Sequence, residues 1–238
     1  MSNTRTREPG VGENAALDEL ARQDRGSRAQ FLKIAGGAGA AGALAIFMAA
    51  CGGDDEETGG GGSSPGGGES PPSGKASKGD IEIVNYALTL EYLEADFYQQ
   101  VLDSGEVKDK KVAEVAMEFS ENEQEHVAAL TATVEQLGGT PAPKPQTNFE
   151  DVLAGGEQMI LETAAVVENL GAAAYLGQAG NIKSPEILAA ALSIHTVEAR
   201  HAAVLNQVVG KTIVPDGAFA KPATMDEVLE MVKPFIKA

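Results

Sequence analysis

Apolar residues recur at three- and four-residue spacing along four long stretches of the chain, each bounded by helix-stopping residues. The first predicts a helix from Asp80, read as its N-cap, to about Asp103, just ahead of Ser104-Gly105. The second runs from about Asp109 to Leu137 and stops at Gly138-Gly139, with Pro141, Pro143 and Pro145 barring continuation. The third is clear from Glu157 to Ala179, although Gly155-Gly156 leaves its start ambiguous. The fourth opens on Ser184 as N-cap with Pro185 at the first helical position, and persists to about Val209. A short last helix starts at Thr224, where Thr224 and Glu227 form a capping box ahead of Val228, Leu229, Val232 and Phe235. These elements predict an all-α fold, a bundle of four helices whose two halves are joined by the longest connection.

Helix phase sorts the charged residues. At about 100° per residue, Val84, Ala87, Leu88, Ala95, Tyr98 and Leu102 form one stripe with Glu91 in its middle, while Glu94 falls on the edge and reads as a rim carboxylate. Around Glu123 the stripe is Val112, Ala116, Phe119, Val127, Leu130 and Val134. For Glu168 it is Leu161, Ala164, Ala165, Ala172, Tyr175 and Ala179, and for Glu198 it is Ala191, Ile194, Ala202, Leu205 and Val209. Each long helix therefore carries one glutamate at the centre of its apolar face. By contrast, Glu118, Glu121 and Glu125 read as a solvated face.

The same pattern occurs twice, a glutamate with a tyrosine seven residues on and then, downstream, Glu-x-x-His. The copies are Glu91, Tyr98, Glu123 and His126, and Glu168, Tyr175, Glu198 and His201. Two of the three histidines in the chain fall in it. Buried unpaired carboxylates are costly, so four converging on one core need cations or shared protons, and two divalent metals would neutralise all four. Oxygen and imidazole donors suit iron or manganese without separating them, so the expected cofactor is a pair of metal ions, two iron ions or manganese in their place. Tyr98 and Tyr175 either pack or turn a hydroxyl to a ligand carboxylate. His195 borders the fourth stripe and reads as a core or supporting histidine rather than a ligand.

Charge and the N-terminal third narrow the setting. With 18 Lys+Arg against 35 Asp+Glu the net charge is −17, which repels phosphate backbones, makes nucleic acid an improbable partner and draws cations in. Arg22, Arg25, Arg28 and Lys33 precede an uncharged run from Ile34 to Ala50, the layout of an export signal. Ser27-Arg28-Ala29-Gln30-Phe31-Leu32-Lys33 resembles the twin-arginine export motif, but Ala29 stands where the second arginine falls, which leaves folded export and general secretion both open. Met48-Ala49-Ala50-Cys51 resembles a lipobox, with Met48 where leucine is commoner, and implies cleavage before Cys51 and lipid attachment to its sulfur. As this is the only cysteine, disulfides and thiol chemistry are then excluded from the mature domain. From Gly52 the chain is Gly, Ser, Pro and acidic residues, a tether rather than a core. The expected organisation is an export signal over 1–50, a linker over 51–79, the bundle over 80–211 and an extension with a short helix over 212–238.

Residues 80–211 resemble the ferritin-like superfamily. Ala-Leu-Thr-Leu-Glu91-Tyr-Leu-Glu-Ala-Asp-Phe-Tyr98, Glu168-Asn-Leu-Gly-Ala-Ala-Ala-Tyr175-Leu-Gly and Val-Glu198-Ala-Arg-His201 are similar to its branch of exported bacterial ferritin-like and plant desiccation-related proteins. The resemblance implies an antiparallel up-down, crossover, up-down bundle with pseudo-twofold halves. It implies that Glu91 and His126 bind one metal and Glu168 and His201 the other, with Glu123 and Glu198 bridging. The expected activity is Fe(II) chemistry with O₂ or peroxide, at the extracytoplasmic face of the bacterial membrane, to which a lipid on Cys51 would tie the protein. The partners so implied are metal ions, small oxidants and that membrane, with the oligomeric state left open. The alternative is a non-enzymatic envelope protein that protects under stress or carries metal.

Overall fold

The computed structural model describes residues 77–237, and the segment read as an export signal, Cys51 and most of the expected linker lie outside them. Helix α1 spans Lys78–Ser104, α2 Lys110–Gln136, α3 Glu150–Ala154, α4 Gly156–Ala179, α5 Pro185–Val208 and α6 Met225–Val232, followed by a 3-10 turn at Lys233–Phe235. The fold is an all-α helical bundle. The pairs α1–α2 and α4–α5 are hairpins with short loops, and α1 also lies against α4.

Most helix ends follow the local chemistry. Asp109 and Ser184 cap α2 and α5, Pro185 opens α5, and Thr224 with Glu227 makes the capping box of α6. The start of α1 differs from expectation. Ser77, not Asp80, is the N-cap, and the first helix begins inside the stretch assigned to the linker. Asp80 is the third residue of the helix and fully buried. One of its oxygens accepts the Ser77 N–H at 2.8 Å, closing a capping box, and the other accepts the Lys183 N–H at 2.7 Å. Burial alone would raise its pKa, yet the N–H groups of Lys183 and Ser77 outweigh that and hold it below the usual carboxylate value. A local cap would leave Asp80 facing water. Pinning the loop ahead of α5 to the start of α1 takes it inside instead.

The connection between the halves follows a defined course. Asn85 on α1 donates to Thr140 O at 3.1 Å and accepts from Ala142 N at 2.6 Å, and Lys144 pairs with Asp96 at 2.5 Å. Further along, Asn148 N donates to Phe235 O and Lys237 N to Gln146 O, both at 2.8 Å, so the crossover and the C-terminus hold each other. The ambiguity at Gly155-Gly156 resolves into two helices. Gly156 adopts φ 75°, a left-handed conformation that breaks α3 from α4 and that a residue with a Cβ disfavours. Near the C-terminus, Ala223 N donates to Ala173 O at 3.0 Å, and a Cβ on Gly177 would lie 1.9 Å from Ala223 O. Only glycine there lets the tail cross α4, which brings Val228 and Val232 of α6 into the core.

Two apolar clusters fill the interior, one at each end of the long helices. On α1, Val84 and Leu88 belong to one and Phe97 and Val101 to the other; on α2, Leu130 and Val134 lie in the first and Ala116 and Phe119 in the second. Glu123 falls between them in sequence, and Glu91 lies close to where they meet, next to Leu90 of one and near Leu88 of the other. Glu168 and Glu198 occupy the same middle level on α4 and α5, and Glu118, Glu121 and Glu125 lie on the exposed side of α2.

Candidate metal centre

The four glutamates at the centres of the apolar faces meet. Glu91, Glu123, Glu168 and Glu198 are each 0 % exposed, one from each long helix. They form two groups with the histidines, Glu91, Glu123, His126 and Glu198 in one and Glu123, Glu168, Glu198 and His201 in the other, and within each group the donor atoms lie within 4.8 Å of one another. Glu123 and Glu198 are common to both. The Glu-x-x-His spacing produces this locally, because residues three apart share a helix face. His126 Nδ1 lies 3.0 Å from Glu123, 3.1 Å from Glu91 and 3.2 Å from Glu198, and His201 Nδ1 lies 3.0 Å from Glu123 and 3.3 Å from Glu168.

The orientation of these atoms tests whether the residues fit a metal pair. Glu123 Oε1, Glu168 Oε2, both oxygens of Glu198 and His201 Nδ1 make no hydrogen bond, although several stand at hydrogen-bond distance from a neighbour. Distance is met and direction is not. Lone pairs arranged in this way converge on shared points instead of on one another, which is what a cation bound between them requires. The buried carboxylate and histidine cluster fits a dinuclear metal site.

Protonation follows from the crowding. Burial, and then the charges of Glu123, Glu168 and Glu91, push Glu198 well above the usual carboxylate range. Burial raises Glu123 to about 7 against the hydrogen bond of His126 and the close approach of His201. Glu91 moves the other way: burial would raise it, but His126 beside it wins and holds it low. Both histidines are raised despite burial, His126 through Glu91 and Glu123, and His201 to about 9 through its contacts with Glu123 and Glu168. Protons thus occupy part of the role that cations would take.

The tyrosines reach across the bundle. Tyr98 on α1 donates to Glu168 on α4 at 2.5 Å, and Tyr175 on α4 donates to Glu91 on α1 at 2.5 Å. Each ring also packs in the core, Tyr98 in one apolar cluster and Tyr175 in the other, while its hydroxyl reaches a glutamate of the opposite half. Burial, then the charge of the bonded glutamate, raises both phenols well above their ordinary pKa, so each stays a donor. His201 stacks on Phe119 with ring centroids 3.8 Å apart, and its Nε2 lies 3.1 Å from the Asn122 amide. If Nδ1 faces a metal, Nε2 carries the hydrogen, and Asn122 must turn its oxygen toward it. Neither Asn122 nor Phe119 was picked out as a partner from sequence, since nothing local shows which helix His201 faces.

His195 lies outside both groups, half-buried, with Nδ1 3.0 Å from Ala172 O. Glu94 corrects the expectation of a rim position. It is 2 % exposed, and Oε2 has no hydrogen-bond partner. Its helix turns it to the edge of the stripe, but α4 presents Gly171 there, and the missing side chain leaves the carboxylate space inside. A signal existed in the repeat: the step that takes Glu91 to Glu168 takes Glu94 to Gly171, a large residue in one half matched by none in the other.

A family model described as a ferritin-like domain matches residues 79–211, more than half of the chain, and the chain belongs to that family. Comparison with curated proteins gives no match.

Proposed function

We propose that this ferritin-like chain holds two iron ions, with manganese served by the same donors, and uses them in redox chemistry with O₂ or peroxide. The observation that carries this reading is the pair of donor groups sharing Glu123 and Glu198, with oxygens that no hydrogen bond claims. Glu91 and His126 would hold one ion and Glu168 and His201 the other, with Glu123 and Glu198 between them. Iron bound there would supply the electron that reduces the oxidant.

The chain's own residues do the rest. Four carboxylates balance two divalent ions, which relieves the repulsion that otherwise raises Glu198 and Glu123. Tyr98 and Tyr175 each occupy one oxygen of Glu168 and Glu91, which fixes the carboxylate and leaves its second oxygen for the centre. The apolar clusters on either side keep bulk water from the donors. The leader and Met48-Ala49-Ala50-Cys51 support export and lipid attachment at Cys51, where the chemistry would limit oxidative damage outside the cytoplasm.

Aerobic addition of Fe(II) to the purified domain tests the function. The wild type should oxidise iron with growth of ferric absorbance, and Glu123→Ala, His126→Ala should not exceed the uncatalysed rate. Equal rates, with two metals bound to the wild type, reject turnover and favour a metal-carrying or stress-protective role. Mass spectrometry of the protein from its native host reads the lipid on Cys51, and elemental analysis of the same sample reads the metal.

A further inference from the structure

The halves of the bundle are nearly equivalent around the centre, and Glu94 is where they differ. Its side chain is buried beside Glu198 at the position that Gly171 leaves open. A Cβ built on Gly171 would lie 2.8 Å from Glu94 Oε1 and 2.9 Å from Glu198 Oε2, so the two carboxylates crowd one point and a single methyl group would displace both. A side chain at 171 would force Glu94 and Glu198 to shift.

No hydrogen bond reaches Glu94 Oε2, and the buried Tyr86 hydroxyl, which feels the charge of Glu94, makes no bond to it. Glu94 borders a void of about 10 Å³ whose other walls include Leu90, Leu93, Val167, Val228 and Val232. A buried water needs two to four polar partners to be held, and that wall offers Glu94 alone. A buried carboxylate without a counter-charge or hydrogen-bond set is costly. With Glu198 beside it, a cation held by the donor cluster would satisfy that open oxygen.

We infer that Glu94 is a seventh metal-facing residue, a fifth carboxylate that closes on the metal pair beside Glu198 in the room kept by Gly171. This rests on the dinuclear reading above. The consequence is selectivity. Four carboxylates balance two divalent ions, whereas a fifth adds negative charge that a trivalent ion uses better than a divalent one. It also makes the two metal positions unlike each other.

The test is titration of the full chain, prepared with chelator, by Co(II) and separately by Tb(III), comparing wild type with Glu94→Gln. Glutamine keeps the shape of the side chain and removes the anionic donor, with an amide NH₂ in place of one oxygen. We expect the weaker of the two Tb(III) affinities to fall tenfold or more, the scale on which residues supporting a metal act, and the Co(II) affinity to fall less. Unchanged affinities overturn the inference, and so do equal losses for both ions, which is what a packing role produces. Glu94→Ala provides a second route if Glu94→Gln does not fold, and should give the same trivalent-selective loss by removing the carboxylate while leaving Glu198 in place. If wild type binds two ions and the variants match it, only this inference falls; if wild type binds neither metal, the dinuclear reading falls with it.

Discussion

Removing one carboxylate from the cluster should stabilise the protein without metal and destabilise it with metal. Glu198 is the cleanest choice, because it is 0 % exposed, neither oxygen has a hydrogen-bond partner, and Glu123, Glu168 and Glu91 all push its pKa up. Its one close cationic contact is His126 at 3.2 Å. Replacing buried ionic groups by apolar residues of similar volume stabilises by about 1–4 kcal/mol. Glu198→Leu in chelator at pH 8 should fall in that range, and a gain of about 2 kcal/mol raises the midpoint of a domain this size by roughly 4–8 °C. The gain should shrink toward pH 5, where the raised pKa keeps a proton on the native carboxyl. Metal reverses the order. At a thousandfold excess over Kd, wild type gains about 4 kcal/mol by mass action, and Glu198→Leu, lacking a donor common to both groups, gains far less. The assay is thermal or urea unfolding of both proteins, with chelator and with Fe(II) or Mn(II) under anaerobic conditions. A Leu variant less stable than wild type in chelator by more than about 1 kcal/mol, or an equal metal-induced gain in both, would refute the claim that Glu198 is held in a site built for cations.

Tyr98→Phe should weaken metal binding by about 10–100-fold in chelator competition, and its coupling in a double-mutant cycle should be with Glu168→Gln and not with Glu91→Gln, because the hydroxyl crosses to the other half. Without metal, stability should fall as pH rises from about 4.5 to about 9: Glu123 is raised from 4.5 to about 7 and His201 from 6.5 to about 9, so the native state binds more protons than the unfolded one across that window. Glu91, held low, opposes this only as pH falls below 4.5; unfolding midpoints in chelator that rise from pH 5 to pH 9 would contradict the assignment. Gly177→Ala should cost about 1–3 kcal/mol and free the tail, since the new methyl meets Ala223 O; hydrogen exchange of the Ala223 amide, bonded to Ala173 O, should speed up in the variant.

Helix existence, most helix ends and the level of the four glutamates were legible in the sequence, because each depends on residues within one or two turns. Ser184 and Thr224 act as caps for reasons contained in their own neighbourhoods, and phase alone puts Glu91, Glu123, Glu168 and Glu198 on apolar faces. Spacing likewise brings each Glu-x-x-His pair to one side of its helix. Packing decided the rest. Whether Tyr98 holds Glu91 or Glu168 depends on which helix lies opposite, and Asn122 and Phe119 become partners of His201 only when α2 meets α5. Asp80 looks like a cap until Lys183 arrives from a distant loop. Glu94 looks like a rim residue until Gly171 opens space beside it. Periodicity records the direction of a side chain from its own helix axis, and burial at the edge of a stripe is set by the size of what another helix brings there.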